Sequence, residues 1–84
     1  MEISVQISYY PLNEEFNSIV EDFITQLSQV HGLQIQTGMM SSLITGDYDL
    51  VMNTLKDTMY PYLAKYQSVF TITVASACKQ CEVQ

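Results

Sequence analysis

Few side chains in this sequence could do covalent or metal chemistry, and those few lack the partners such chemistry needs. Cys78-Lys79-Gln80-Cys81 has the spacing of a dithiol or of half a zinc site. A structural zinc ion takes four ligands, however, and the other obvious soft donor is His31. The pair sits at the C-terminal end, reads as incidental, and is too local to staple distant segments. Asp47 and Asp49 read as first-turn helix residues rather than a catalytic pair, and Glu14, Glu15, Glu21 and Asp22 as a solvated face. The sequence holds no Ser/His/Asp set, no glycine-rich phosphate loop and no metal-ligand cluster. The expectation is a chain that is not an enzyme and takes no cofactor.

The aromatic and neutral polar groups say more. Tyr9 and Tyr10 stand just before Pro11, where Tyr10 can offer a flat face and a hydroxyl. Tyr48, Tyr60, Tyr62 and Tyr66 read as core or rim residues of a helix. Ser, Thr, Asn and Gln together number 26 of 84 residues, about twice the 12 charged ones. Those 12 comprise 9 acids and 3 lysines, with no arginine, for a net charge of −6. Nucleic-acid binding requires several cations against phosphates, and bidentate capture of phosphate relies on guanidinium, so both classes are excluded. With 48% hydrophobic residues, 3 Gly and 2 Pro, the chain is expected to fold. No apolar run approaches the roughly 18 residues of a membrane span, and Met1-Glu2-Ile3-Ser4-Val5 does not read as a signal peptide, so a cytoplasmic protein with no membrane insertion is expected.

The elements that must position these groups follow from periodicity. Ile3 to Tyr9 alternates apolar and polar residues, as a half-buried strand does. From Asn13 the period lengthens: Phe16, Ile19, Val20, Phe23, Ile24, Leu27 and Val30 recur at helical spacing, with Asn13 as N-cap, Glu14 and Glu15 in the first turn and Gly32 as a left-handed close. Residues 33–45 read as a hairpin, Leu33 to Thr37 and Met40 to Thr45, turning at Gly38. Because Leu43 and Ile44 are adjacent, the pattern leaves open whether Ser41 or Ser42 shares the open face. Asp47 opens a second helix striped by Val51, Met52, Leu55, Met59, Tyr62, Leu63 and Tyr66, and Pro61 predicts a kink or a stop near Tyr60. Val69 to Ala75 is the last strand.

The order β-α-β-β-α-β, with right-handed crossovers, is that of an α+β ferredoxin-like plait: a four-stranded antiparallel sheet with two helices on one face. One domain is expected over 1–84, its core about 3–76 and a tail at 77–84. Ile3, Val5, Ile7, Leu33, Ile35, Phe70, Ile72 and Val74 should point to the helices. Ser4, Gln6, Ser8, Gln34, Gln36, Thr71 and Thr73 should form an uncharged open face. Such a face is either an ordinary solvated surface or one covered in an oligomer, with or without a ligand between sheets. The RNA-binding version of the plait needs aromatics on its central strands amid basic residues, and acyl-phosphate hydrolysis needs an arginine; both are missing. A metallochaperone carries its Cys-x-x-Cys after the first strand, not the last.

Three segments in this order, Ser8-Tyr9-Tyr10-Pro11-Leu12, Met40-Ser41-Ser42-Leu43-Ile44-Thr45-Gly46-Asp47-Tyr48-Asp49 and Ala75-Ser76-Ala77-Cys78, resemble the Ykof family of hydroxymethylpyrimidine/thiamine-binding proteins. The resemblance spans roughly residues 3–78. It implies a ferredoxin-like plait that binds thiamine or its hydroxymethylpyrimidine moiety in the cytoplasm, linked to uptake or salvage. Family members can carry tandem copies, so this single copy implies a homodimer or homotetramer through the sheet. By the same resemblance the ligand contacts are Ser8, Tyr10, Thr37, Ser41 and Ser42; an aromatic such as Tyr10 can stack on either ring of thiamine or contact its cation. Thr45 and Lys79 depart from the basic residue and the proline that members can carry there. The alternative is an oligomeric interaction or regulatory module that binds no small molecule.

Overall fold

The computed structural model describes residues 1–38 and 41–76. Its elements are β1 (Glu2–Pro11), α1 (Phe16–Ser28), β2 (Gln34–Thr37), β3 (Ser42–Asp47), α2 (Tyr48–Lys65) and β4 (Ser68–Ser76). The strands form one antiparallel sheet in the order β2-β3-β1-β4, the ferredoxin-like plait that the element order predicts. Cys78, Cys81 and the tail from 77 lie outside the described residues, as does Met40.

The alternation in β1 does what it implies. Ile3, Val5, Ile7 and Tyr9 are buried beneath the helices, whereas Ser4, Gln6 and Ser8 turn to the other face. Ile19, Phe23 and Leu27 of α1, Val51, Leu55 and Tyr62 of α2, and Ile44 of β3 close the core over that row. Leu33, Ile35 and Phe70 pack against it while half-buried. In α2 the inner position falls to Thr54, and Met52 and Leu63 are exposed.

Several local features depart from the pattern-based expectation. Asn13 does not cap α1: its Oδ1 accepts the Glu15 amide at 2.8 Å in the preceding turn, and the helix begins at Phe16, after both glutamates. The turn satisfies the Glu15 amide ahead of the helix, and the helix itself has no side-chain cap. Gly32 has the left-handed φ of +93°, in the connection beyond the helix end rather than at it. Pro61 neither stops nor ends α2, which continues to Lys65. Pro61 and Asp57, the residue whose carbonyl loses its amide partner at this turn, are both exposed. Ile72 and Val74 share the helix-side face with Ile7 and Val5 but are 37% and 49% exposed, because the helices sit over β3 and β1 and do not extend across β4.

An aromatic cluster locks the end of β1 to both helices. Tyr9 stacks on Phe70 with ring centres 4.1 Å apart and meets Phe23 and Tyr62 edge-on at 5.3 and 5.9 Å. The Tyr9 hydroxyl bonds Ser68 Oγ at 2.9 Å, so its polar end is satisfied at the start of β4. The Tyr62 hydroxyl donates to the Asp22 carboxylate, tying α2 to α1. Burial, and then the bond to Asp22 and its charge, hold the Tyr62 phenol well above the usual tyrosine range.

Because folding raises this pKa, the folded chain keeps a proton that the unfolded chain releases near pH 10. The contribution is therefore complete below about pH 10 and declines as pH rises past it. Tyr62→Phe should lower stability by about 1–2 kcal/mol at neutral pH. It should also flatten the alkaline fall in Tm, read by circular dichroism between about pH 9 and 12. A variant whose alkaline loss parallels that of the parent would refute this assignment.

Candidate functional site

The site originates in a mismatch of strand lengths. β1 pairs with β4 along its whole length, from Ile3 opposite Ser76 to Pro11 opposite Ser68. On its other side the pairing with β3 stops at Ile7 opposite Ser42. Among the described residues, 8–11 pair on the β4 side only, and α1 packs over this end of β1. Beneath its first two turns lies a cavity of about 270 Å³.

Its floor is apolar, made of Ile7, Tyr9, Phe23 and Ile24 from the core and its margin. Phe16, 51% exposed, lies at the mouth, and Tyr10, 45% exposed, borders the cavity from the β1 position opposite Val69, whose side chain belongs to the open face. The hairpin supplies hydroxyls: the register places Thr37 opposite Ser42 on the helix-facing side, and Ser42 is buried next to Ile7. The Gly38 amide donates to the Ser41 carbonyl at 2.8 Å and closes the hairpin tip around them. From α1 come Asn17 and Glu21, one turn apart and so on one face of the helix. Glu21 is the charged side chain of this lining, and its carboxylate has no cation partner among the described residues.

A second hollow, about 640 Å³, lies on the open face of the sheet. Ser4, Gln6, Gln36 and Thr73 line it with Leu43 and Ala75, and among the described residues no charged group takes part. Gln6 Nε2 donates to Ser41 Oγ at 3.0 Å across this face. Thr37, Gly38 and Ser41 contribute to both linings, so the hairpin tip is the partition between cavity and hollow.

The register resolves the ambiguity at the hairpin. Ser41 bonds a residue of the open face, whereas Ser42 faces the helices and Leu43 takes the open-face position opposite Gln6. Of the residues expected to contact a ligand, Tyr10, Thr37, Ser41 and Ser42 line the cavity together. Ser8 does not join them: it lies on the open face opposite Thr71 and lines neither hollow. Sequence reasoning missed Phe16, Asn17 and Glu21. Phe16 reads as core and Glu21 as solvated face, and the available signal was the Asn17/Glu21 spacing beside the apolar stripe.

Chemically, the cavity combines aromatic faces for a flat ring, hydroxyls that both donate and accept, and one carboxylate for a positive or hydrogen-bond-donating edge. Among the described residues no three His, Cys, Asp or Glu side chains converge as a metal site would need. No described helix is long and apolar enough to cross a membrane.

No family model and no curated protein sequence matches the chain. Solved structures do. A Thermotoga maritima protein assigned provisionally to thiamine biosynthesis or salvage superposes with a TM-score of 0.79 at 15% identity, over 92% of this chain and 85% of that one. A Streptococcus pneumoniae protein superposes at 0.83 and 13% identity, over 98% and 99%. A domain of unknown function, DUF77, from Bacillus cereus gives 0.75 and 17%, over 92% and 77%. At these identities the likeness is one of fold.

Proposed function

We propose that this chain is a non-catalytic, Ykof-like binding protein for thiamine or its hydroxymethylpyrimidine moiety, acting in the cytoplasm in uptake or salvage and taking no cofactor. The observation that carries the reading is the convergence of Tyr10, Thr37, Ser41 and Ser42 on one cavity, joined there by Phe16 and Glu21. The motif resemblance and the provisional thiamine assignment of one structural neighbour support it.

The chemistry is compatible. An aminopyrimidine carries donors and acceptors along one edge, which hydroxyls can meet in either sense. A thiazolium is a cation, favoured by the Glu21 carboxylate, by an aromatic face and by a chain of net charge −6. At about 270 Å³ the cavity falls just under the roughly 300–1,000 Å³ of typical small-molecule sites, which suits one heterocycle held inside and the remainder at the mouth. The neutral open face suits burial against a second copy, the homodimer or homotetramer through the sheet, since no fixed charge in its hollow would be desolvated.

Titration calorimetry with thiamine and with hydroxymethylpyrimidine is expected to give saturable heat with at least one of them. Tyr10→Ala and Ser42→Ala should each weaken binding about tenfold or more, about 1.4 kcal/mol, with the far-ultraviolet spectrum unchanged. Ser8→Ala, off the cavity wall, should not. No heat at millimolar ligand from the folded protein would defeat the reading and leave an interaction module that binds no small molecule.

Glu21→Gln keeps the side chain's shape and removes its charge. Thiamine affinity should fall by more than hydroxymethylpyrimidine affinity in that variant; an equal fall in both would mean that the carboxylate does not meet the cation.

A further inference from the structure

In the helical layer, α1 and α2 border a third cavity that shares no lining residue with the other two. α2 contributes two rows at four-residue spacing, Asp57, Pro61 and Lys65 in one and Thr58, Tyr62 and Tyr66 in the other, and α1 adds Asp22 and Gln26. Its volume is about 370 Å³, within the range of small-molecule sites. Asp22 and Asp57 bring one carboxylate from each helix, and neither pairs with a cation among the described residues, although Lys65 lines the same cavity. The Tyr62 hydroxyl donates to Oδ2 of Asp22, which leaves Oδ1 for a further donor. Pro61 has no N–H for the Asp57 carbonyl, so the backbone adds another acceptor at the same exposed turn.

A cation already marks the aromatic side of this cavity. Lys65 Nζ rests over the ring of Tyr66, 5.3 Å from its centre, rather than on either carboxylate. Tyr66 lies beside Tyr62, with ring centres 6.4 Å apart and planes inclined by 28°, so the ring face that attracts the ammonium belongs to a continuous aromatic wall. As a point charge, Lys65 takes the ring and leaves the acids unpaired. A guanidinium meets both demands at once: it stacks flat on a phenol ring while its five N–H donors reach acceptors in its own plane. This chain cannot supply one, since its sequence contains no arginine.

We infer that the cavity between α1 and α2 binds an alkylguanidinium from outside the chain, a free small molecule or an arginine side chain of another protein, stacked on Tyr66 with its donors on Asp22 and Asp57. Lys65 is the internal competitor for that place. It is exposed and is the last residue of α2, so its ammonium leaves the ring for solvent when the ligand enters. The net charge of −6 favours the approach of a cation. Because no residue lines both cavities, this site and the proposed thiamine site stand or fall separately.

Backbone amide shifts of the full chain, followed by NMR during titration with agmatine and with N-acetylarginine amide, test the inference. At least one of the two should saturate with a Kd of about 1 mM or tighter, its shifts centred on Asp22, Gln26, Asp57 and Tyr66. The tighter ligand identifies the source, a free guanidinium compound or an arginine within a chain. N-acetylcitrulline amide, similar in shape but uncharged, should bind about tenfold or more weakly than the arginine derivative. Asp57→Asn, at an exposed position, should weaken binding about fivefold with an unchanged circular dichroism spectrum. Lys65→Met removes the competing ammonium and should tighten binding about threefold, a gain that damage to the fold would not produce. Tyr10→Ala, in the other cavity, should leave these affinities as they are. No saturable shift with either ligand, shifts centred on Tyr10 and Ser42, equal binding of the citrulline derivative, or affinity that does not rise in Lys65→Met would overturn the proposal.

Discussion

The structure depends on β1 having two neighbours of unequal reach. β4 accompanies it to Pro11, the described pairing with β3 ends at Ile7, and α1 lies over the residues beyond. That one inequality produces the cavity under α1. At this end of β1, Tyr9 is fixed by stacking on Phe70, edge contacts to Phe23 and Tyr62, and a bond to Ser68. A rigid aromatic wall thus stands next to a gap, the combination that lets a small site keep its shape without a ligand.

Charge is distributed in keeping with this. Among the described residues the acids are on the helices, the connections and the ends of strands, while the hollow of the open face is lined by neutral groups. Glu21 is the exception that matters, since it is an acid at a cavity wall otherwise made of rings, aliphatic side chains, hydroxyls and an amide.

Much of the architecture was legible in the sequence because single-period patterns carried it: the alternation of Ile3, Val5 and Ile7 and the helical spacing of Ile19, Phe23 and Leu27 each have one solution. What was not legible lay where two physical solutions compete. Asn13 can accept an amide in a helix cap or in a turn, and the turn prevailed. Leu43 and Ile44 each fit an inward position, and only the pairing with β1 assigns Ile44 to the core and Ser42 to the cavity. Ile72 and Val74 alternate as core residues do, but whether a helix reaches them is a matter of layer width, which periodicity does not encode. The site was partly legible for the same reason. Tyr10, Thr37, Ser41 and Ser42 stood out by type and motif, whereas Glu21 resembled every other acid on an amphipathic helix until α1 was laid over the gap.

The central claim is that a thiamine-type heterocycle occupies the gap between β1, α1 and the hairpin tip. Backbone amide shifts followed by NMR during titration with thiamine or hydroxymethylpyrimidine test this most directly, because they report the place as well as the fact of binding. The largest shifts should fall together on Tyr10, Asn17, Glu21, Thr37 and Ser42, with Gln34 and Thr73 on the open face little changed. Saturating shifts centred on Ser4, Gln6 and Thr73 would move the ligand to the other side of the sheet and contradict the account.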